Sequence, residues 1–477
     1  MSQTRGRAID TDYLIVGAGA AGMAFADALI EACDADVVIA DRRHRPGGHW
    51  NDAYPFVRLH QPSAYYGVNS RILGGDSIDS TGPNAGWYER ATAAEICDYY
   101  QRVLDECLLA SGRVRFFGMS DCQAESQDGI KLTSRLTGET TTVRVRRRVV
   151  DARYLEASIP ATHPRSFDAE PAVRLIAVND LVRLTGPASG YPGIGGGKTA
   201  SDACLWLLDG GVPPEAIRWV RPRDAWLLDR AFSQPLDLVA SLIEGVSLYL
   251  EAAANAQDAG DLFRRLEACG QLVRLDAAIE PAMYKYATVS QSELASLRRI
   301  TDVVRLGRVR HIAPDQIFLD RGSVPADGGQ VHVDCSATGL RVTPGRPVFE
   351  SGRITLQQIR TGQPVFSAAL IGYLEASRDD DAAKNLLCPA NPYPDVPADW
   401  IRCTGVSLRA QARWLADPDL SAWLERSRLN ATRGTSAHLA DPRMQSAMAR
   451  MYANFERAIT SLASLQAQAR CDNQPAM

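Results

Sequence analysis

The ten cysteines of this 477-residue chain never occur as a C-x-x-C pair. That spacing is the usual signature of structural zinc sites and dithiol redox centres, so we predict neither a metal site nor a redox disulfide. The chain also lacks an apolar run of the roughly 18 residues that a membrane-spanning helix needs. Its polar start leads directly into a strand, and we therefore expect a cytoplasmic protein with no membrane partner.

A strong charge of one sign is also missing, because the formal net charge is only -4 at neutral pH. Proteins that bind nucleic acid usually carry a basic patch, so we do not expect nucleic acid as a partner. Hydrophobic residues make up 45% of the sequence, and its length allows two or three domains, each with its own core. The composition indicates a globular protein and leaves a homo-oligomer open.

The most complete motif lies near the N-terminus, in the stretch YLIVGAGAAGMAFADALIEACDADVVIAD of residues 13–41. It reads as a strand, a G-x-G-x-x-G turn, an apolar helix and a second strand that ends on an acid. The turn glycines and the final acid are Gly17, Gly19, Gly22 and Asp41. Such glycines allow a close approach to a pyrophosphate, while the acid hydrogen-bonds a ribose, so the motif predicts a site for FAD or NAD.

A second glycine-rich stretch, GIGGGKTASDA at residues 193–203, invites comparison with two phosphate-binding templates. The P-loop template fails because it needs a glycine where Pro192 stands. Read as G-x-G-x-x-A before an apolar helix, the stretch predicts a pyrophosphate site at a helix N-terminus, with a charge and a hydroxyl added. The residues predicted to bind there are Gly195, Gly197, Lys198 and Thr199.

The strand after this helix, IRWV at 217–220, ends in Arg221 and Arg223 instead of an acid. Guanidinium groups can bind a 2′-phosphate with two hydrogen bonds, whereas a carboxylate repels it, so the second site is predicted to hold NADPH. The alternative is that both arginines are solvated loop charges. The strand before the glycine turn contains Pro192 and Gly193, which are unfavourable in a central strand, and we expect it to be short or bent.

Downstream patterns indicate how the two nucleotide units are connected. Residues 235–268 have helical periodicity, 303–330 alternate like an antiparallel meander, and 441–468 read as one amphipathic helix. The stretch VHVDCSATGL at 331–340 reads as a buried strand that re-enters the first unit. We therefore predict an α/β fold with two Rossmann-type dinucleotide-binding domains. The predicted parts are an FAD domain at 1–175, an NADPH domain with a helical insertion at 176–330, and a return to the FAD domain with C-terminal helices at 331–477.

These two glycine motifs, their acid and arginine endings, and the late Ala337-Thr338-Gly339 make the chain resemble the flavin-containing monooxygenases and the Baeyer–Villiger monooxygenases. In that superfamily a G-G-x-W turn and a tyrosine–proline segment line the flavin. The matching residues are Gly47, Gly48, Trp50, Tyr54, Pro55, Arg58, Ser63 and Tyr66. The chain departs from the pattern because it lacks the F-x-G-x-x-x-H fingerprint, and His60 stands where Baeyer–Villiger enzymes carry an aspartate.

The resemblance implies an FAD-dependent, NADPH-using monooxygenase that transfers oxygen from O2 to a small organic substrate through a C4a-peroxyflavin. Its candidate cofactor-binding residues are Gly17, Gly19, Gly22, Asp41, Arg42, Gly48, Trp50, Ser63, Gly195, Gly197, Lys198, Thr199, Arg221, Arg223, Thr338 and Gly339. Three residues are candidates for catalysis. His60 could change charge near the flavin because the free pKa of histidine lies close to neutrality, Arg58 can stabilise a developing anion, and Asn69 can donate an amide hydrogen bond.

Two alternatives remain open on the sequence. An FAD and NADPH reductase or dehydrogenase without oxygen insertion would use the same two sites. A catalytically silent nucleotide-binding sensor or scaffold would explain the irregular strand before Gly195 and the missing fingerprint.

Overall fold

The computed structural model describes residues 7–123 and 129–472 of the chain, and this part contains five sheets and eleven α-helices. The predicted α/β class is confirmed. The helices are α1 (Ala20–Ala32), α2 (Ala93–Arg102), α3 (Lys198–Asp209), α4 (Val239–Asn255), α5 (Ala259–Ala268), α6 (Gln291–Leu297), α7 (Pro364–Ser377), α8 (Asp381–Leu387), α9 (Pro397–Ala416), α10 (Pro418–Arg426) and α11 (Pro442–Asp472).

The first sheet, with α1 and α7 packed on it, forms what we call the first unit. Its eight strands are β1 (Arg7–Val16), β2 (Val37–Ala40), β3 (Val114–Phe117), β4 (Ser120–Cys122), β5 (Ile130–Ser134), β6 (Thr140–Asp151), β21 (Phe349–Glu350) and β22 (Arg353–Thr355). The order is β21-β22-β6-β1-β2-β3, and the pairs among β22, β6, β1, β2 and β3 are parallel. All four residues of β2 are buried, as expected for a strand covered on both faces.

The second sheet, with α3, forms the second unit. Its strands are β9 (Leu175–Ala177), β10 (Tyr191–Ile194), β11 (Ile217–Val220), β15 (Val303–Val304) and β19 (His332–Asp334). They are ordered β15-β11-β10-β19-β9, and every pair is parallel. A parallel sheet followed by a helix at its glycine turn is the arrangement that positions a nucleotide.

The structure corrects two expectations about this sheet. Strand β10 is short, with four residues, as expected, but it is central and fully buried in spite of Pro192. Pairing with β19 begins only at Gly193, and a proline near the start of a strand removes few ladder hydrogen bonds. Strand β19 belongs to the second unit, so the predicted return at residue 331 is wrong. Strand β19 has only three residues, His332–Asp334, and all of them are buried. A buried strand this short fits the centre of either parallel sheet, and its pattern does not reveal which one.

Three smaller sheets complete the chain. The two connections between the units pair as β7 (Ala157–Ser158) and β20 (Gly339–Leu340). The predicted meander is confirmed by antiparallel β16 (Val309–Ile312), β17 (Gln316–Leu319) and β18 (Gly322–Pro325), which β8 (Asp168–Ala169) joins. The last sheet contains β12 (Ala225–Asp229), β13 (Leu272–Val273) and β14 (Met283–Val289).

The helical additions share one core outside the two units. Helices α4 and α5 occupy the predicted insertion, and α11 covers the predicted C-terminal helix, so both expectations are confirmed. Buried residues of this core include Leu250, Leu262, Trp400 and Leu462. Within 7–123 and 129–472, no helix is both long and apolar enough to cross a membrane.

Candidate functional site

The first glycine loop joins β1 to α1 at the carboxyl edge of the first sheet. Gly17 has a φ of +112°, in the left-handed region. A Cβ added to Gly22 would lie 2.0 Å from the carbonyl oxygen of Gly17, so the helix can approach the loop this closely only with glycine. Gly19 is the N-cap of α1, and no side chain caps the helix. The first-turn N–H groups are therefore suited to a phosphate.

Asp41, at the end of β2, is buried against this loop. Its carboxylate accepts hydrogen bonds from the backbone N–H of Ala18 at 2.6 Å and of Arg43 at 2.7 Å. The neighbouring Arg42 is exposed and forms an ion pair with Glu156. Asp41 thus fixes the glycine loop, whereas Arg42 is engaged at the surface.

The turn after β2 packs on the same loop. The backbone N–H of Gly47 donates to the carbonyl of Ala18 at 2.9 Å, and a short 3-10 helix, Gly48–Asp52, follows. The indole N–H of Trp50 donates to the hydroxyl of Tyr66 at 2.8 Å. This bond joins the G-G-x-W turn to the tyrosine segment, so the turn and the segment both lie beside the first glycine loop.

The second glycine loop, residues 195–197, joins β10 to α3. Gly197 is the N-cap of α3, and no side chain caps this helix either. A Cβ added to Gly196 would lie 2.5 Å from the carbonyl oxygen of Arg223, so the segment that follows β11 packs directly against the loop. Lys198, in the first turn of α3, forms an ion pair with Asp202.

Carboxylates hold both arginines at the end of β11. Arg221 is only 3% exposed, pairs with Asp224 at 3.2 Å and lies over the ring of Trp219. Arg223 donates two hydrogen bonds to Asp395, at 2.8 and 2.9 Å. Burial removes Arg221 from direct contact with a ligand, which corrects the expectation that both arginines bind a 2′-phosphate. Arg223 remains about one-third exposed beside the loop.

The tyrosine segment of the first unit reaches across to the second unit. The hydroxyl of Tyr54 donates to the carboxylate of Asp202 at 2.7 Å. The backbone carbonyl of His60 accepts a hydrogen bond from the hydroxyl of Thr288 at 2.7 Å, and the charge of Lys198 acts on its ring. His60 therefore lies in the cleft between the units, beside the second glycine loop.

Glu293, at the start of α6, bridges two buried arginines in this cleft. It accepts hydrogen bonds from Arg230 at 2.5 Å and from Arg90 at 3.2 Å. Burial opposes its ionisation, but the charges of Lys198 and the two arginines outweigh burial and lower the pKa of Glu293 to about 2. With Asp202 included, three cations face two carboxylates. Because an uncompensated buried charge is unfavourable, the cleft suits an anionic ligand.

Two predicted catalytic residues and Ser63 make internal contacts instead. Arg58 is exposed and donates to the backbone carbonyl of Arg90 at 2.9 Å. The hydroxyl of buried Ser63 accepts a backbone N–H at 2.8 Å. The amide oxygen of Asn69 accepts a hydrogen bond from Ser427 at 2.9 Å, which ties it to the C-terminal region. Arg58, Asn69 and His60 thus contact different parts of the fold.

Thr338 and Gly339 lie in the connection that returns to the first unit. Gly339 begins β20, which pairs with β7 of the outgoing connection. The carbonyl of Thr338 accepts a hydrogen bond from the ammonium of Lys285 at 3.2 Å. These two residues are therefore at the junction between the units, close to β14.

Sequence reasoning missed residues 356–363, which join β22 to α7. Since β22 runs parallel to β6, this segment leaves the same sheet edge as the first glycine loop. The amide oxygen of buried Gln358 accepts the N–H of Gly362 at 3.0 Å, while its Nε2 finds no partner among the described residues. The ring of Tyr286, a residue with φ of +56°, packs against Gly362. No periodic motif marks this segment, and only its position after β22 could have signalled it.

Two partly buried histidines predict a pH dependence of stability. Burial lowers the pKa of His60 to about 3 and that of His49 to about 4, aided by Lys198 and Arg43 respectively. Between these values and about 6.5 the unfolded chain binds more protons, so stability should fall as the pH falls through that range. In urea unfolding, the free energy of unfolding of His60→Gln should fall by about 1.5 kcal/mol less between pH 6.5 and pH 5 than that of the wild type.

Exposed His44 provides the control for this experiment. His44→Gln should keep the wild-type pH dependence. If the pH dependence of His60→Gln equals that of the wild type, His60 is protonated in the folded protein, and the lowered pKa of His60 is wrong.

Comparison with known proteins gives two kinds of relatives. Residues 15–68 match the family described as NAD(P)-binding Rossmann-like domain, which confirms the first nucleotide-binding unit. The proteins named Uncharacterized protein Rv2000 from Mycobacterium tuberculosis and Uncharacterized protein Mb2023 from Mycobacterium bovis are each 48% identical over 430 residues. The match covers 90% of this chain and 79% of each relative. The chain belongs to the family of these mycobacterial proteins.

Solved structures that resemble the chain are more distant. Cyclohexanone monooxygenase with bound cyclohexanone is 13% identical, with 78% of this chain and 88% of that chain covered and a TM-score of 0.47. A flavin-containing monooxygenase from Stenotrophomonas maltophilia is 15% identical, with 77% and 97% covered and a TM-score of 0.44. Bacillithiol disulfide reductase from Bacillus cereus is 12% identical, with 78% and 100% covered and a TM-score of 0.46.

Proposed function

We propose that the protein is a flavoprotein oxidoreductase that binds FAD at the first glycine loop and NADPH at the second. We further propose that it acts as a monooxygenase, with O2 and a small organic molecule as substrates. The observation that carries the proposal is the cationic cleft between two separate nucleotide-type loops, where His60, Lys198, Arg90 and Arg230 meet Glu293.

The residues of the first site fit a dinucleotide with a flavin ring. The close approach of Gly22 to Gly17 and the uncapped N-terminus of α1 suit the pyrophosphate. Asp41 lies at the position where an acid contacts a ribose. At the same sheet edge, the buried Nε2 of Gln358 is a donor without a partner in the described chain, and a flavin carbonyl would satisfy it.

The residues of the second site fit a phosphorylated nicotinamide nucleotide. The uncapped N-terminus of α3 and Lys198 supply backbone donors and a positive charge for the pyrophosphate. The partly exposed Arg223 supplies a guanidinium group beside the loop for a 2′-phosphate. The cleft contains one more cation than carboxylates, and this excess positive charge favours the phosphorylated nucleotide over the unphosphorylated one.

When bound, FAD supplies the hydride and oxygen chemistry, and the protein contributes positioning and electrostatics. His60, kept neutral by burial, adds no further positive charge to the cleft at neutral pH. Lys198 supplies a positive charge for the anionic nucleotide. Arg90 and Arg230 are too buried to contact it directly, but their charges add to the positive potential of the cleft, and Glu293 holds both in a fixed orientation. Tyr54 and Asp202 tie the two units together, so that the two nucleotides are held at a fixed separation.

The test uses the purified full-length protein. Its visible absorption should show bound flavin, and NADPH should bleach this absorption without oxygen. A colourless protein that binds no added FAD would refute the proposal. Isotope-labelled O2 then separates the activities, because a monooxygenase places one oxygen atom in an organic product, whereas a reductase or dehydrogenase transfers none. A scaffold would oxidise NADPH no faster than free flavin does.

Arg223→Ala should weaken NADPH binding about tenfold and leave NADH binding unchanged, because one charge-assisted contact with the 2′-phosphate is lost. The dissociation constants of both nucleotides, measured by calorimetry, check this. Arg221→Ala should instead lower the unfolding midpoint, because buried Asp224 loses an ion-pair partner. Equal weakening of NADPH and NADH by Arg223→Ala would remove Arg223 from the nucleotide site.

A further inference from the structure

We propose that Asp395 is a specificity-determining residue, which competes with the 2′-phosphate of the nicotinamide nucleotide for Arg223. The proposal rests on the proposed function, because it concerns the second nucleotide site. Asp395 comes from the loop before α9, far in sequence from the second unit, and no nucleotide-binding motif includes it. It would set how strongly the protein prefers phosphorylated over unphosphorylated nucleotide.

The position of Arg223 is the first step of the argument. Its backbone carbonyl lies against Gly196 of the second glycine loop, at a distance that leaves no room for a Cβ. Arg223 is the third residue after β11, at the sheet edge where the sequence has arginines instead of a ribose-binding acid. Buried Arg221 is committed to Asp224, so Arg223 is the strand-end arginine left for an anion.

The geometry of the Asp395 contact is the second step. Two guanidinium nitrogens of Arg223 donate to the two carboxylate oxygens of Asp395, at 2.8 and 2.9 Å. A guanidinium group binds phosphate in the same two-pronged way, so the carboxylate occupies the donors that a 2′-phosphate would use. Both side chains are about one-third exposed, at 33% and 31%, so a phosphate from solvent can replace the carboxylate of Asp395 on Arg223.

The third step is that Asp395 keeps a partner after exchange. The ammonium of Lys285 lies 3.3 Å from the carboxylate of Asp395. When a 2′-phosphate takes Arg223, the carboxylate can stay with Lys285, so no charge is left unpaired. A carboxylate held this near reduces the apparent affinity for phosphate by the fraction of Arg223 that it occupies.

The anchoring of the loop is the fourth step. The backbone N–H of fully buried Asn391 donates to the carbonyl of Gln358 at 2.8 Å, and its amide donates to the hydroxyl of Thr361 at 2.7 Å. The hydroxyl of Tyr393 donates to the carbonyl of Lys285 at 2.6 Å. These bonds hold the 391–395 loop in place, so Asp395 remains next to Arg223 whether or not the ion pair is formed.

The experiment compares adenosine 2′,5′-bisphosphate with adenosine 5′-monophosphate, which differ only in the 2′-phosphate. Both are titrated calorimetrically into the full-length, flavin-loaded protein and its Asp395→Asn, Asp395→Ser, Arg223→Ala and Arg223→Ala/Asp395→Asn variants. Asp395→Asn should bind the bisphosphate at least about fivefold more tightly and leave the monophosphate unchanged. Asp395→Ser should do the same, and it replaces Asp395→Asn if that variant does not fold.

In the Arg223→Ala background, Asp395→Asn should have no effect on the bisphosphate, because the competed group is gone. The matched control is Asp121→Asn, which breaks a similar two-pronged pair with Arg135 (2.9 and 2.7 Å) in the first unit and should change neither affinity. Unchanged or weaker binding of the bisphosphate by Asp395→Asn would overturn the proposal. Equal tightening of both ligands, or tightening that persists without Arg223, would do so too.

The same data separate this inference from the proposed function. If the wild type prefers the bisphosphate but Asp395→Asn changes nothing, only the competition by Asp395 is wrong. If neither the wild type nor the Asp395 variants bind either nucleotide, the assignment of the second site fails, and the competition fails with it.

Discussion

Replacing Glu293 by glutamine should lower the free energy of unfolding by about 3–5 kcal/mol. Glu293 is the carboxylate that contacts both Arg90 and Arg230, and the side chains of all three are at most 7% exposed. Without its charge, two guanidinium groups repel each other in a medium that screens them poorly, and Lys198 adds to this repulsion. Urea unfolding of the wild type and Glu293→Gln at pH 7 measures the difference.

The control for this prediction is an exposed ion pair of similar geometry. Asp36 pairs with Arg146 at 3.0 Å, and both side chains are about half-exposed. Asp36→Asn should therefore change the unfolding free energy by less than about 1 kcal/mol. Similar losses in both variants would mean that the Glu293 cluster is solvated, and the argument for an anion-binding cleft would lose its basis.

Sequence reasoning succeeded where the chemistry is local. The turn glycines and Asp41 occur within 25 residues and obey one spacing rule, so the first unit could be read from the printed chain. The same holds for the meander and for the helices with clear periodicity. In each case the backbone geometry of neighbouring residues determines the structure, and the spacing of residue types in the sequence follows from that geometry.

Residues that are partners only in three dimensions could not be predicted in this way. Arg223 was interpreted from its position after a strand, but its partner Asp395 lies 172 residues further along the chain. Glu293 binds Arg90 across 203 residues, and the sequence around either shows no motif. Such side chains must balance each other's charge where they are buried. They come together only after both units have folded and docked, so no local sequence pattern marks them.

Strand β19 shows a further limit. Its three residues are all buried, but only Val333 is apolar, so no hydrophobic pattern assigns the strand to one parallel sheet or the other. The decisive contacts are those of its backbone with β10 and β9. The consequence for the site is that Thr338 and Gly339 lie at the junction of the units and not on a strand of the first unit.

Gly22→Ala should weaken FAD binding by about 10- to 100-fold, so that the protein is purified largely without flavin. A Cβ at residue 22 would lie 2.0 Å from the carbonyl oxygen of Gly17, and backbone cannot give way as a flexible side chain does. Helix α1 must therefore move away from the loop, which removes one or more charge-assisted bonds between first-turn N–H groups and the pyrophosphate. The ratio of flavin to protein absorbance and an FAD titration measure the loss.

Two further glycines make this result specific. Gly186 has an ordinary backbone and open space around its Cβ position, so Gly186→Ala should keep full flavin content. A Cβ on Gly196 would lie 2.5 Å from the carbonyl oxygen of Arg223, so Gly196→Ala should weaken NADPH binding while FAD stays bound. If Gly196→Ala loses flavin and Gly22→Ala retains it, the two sites have been assigned to the wrong nucleotides. If each glycine loop binds its own nucleotide, Gly22→Ala should lose only FAD and Gly196→Ala should lose only NADPH.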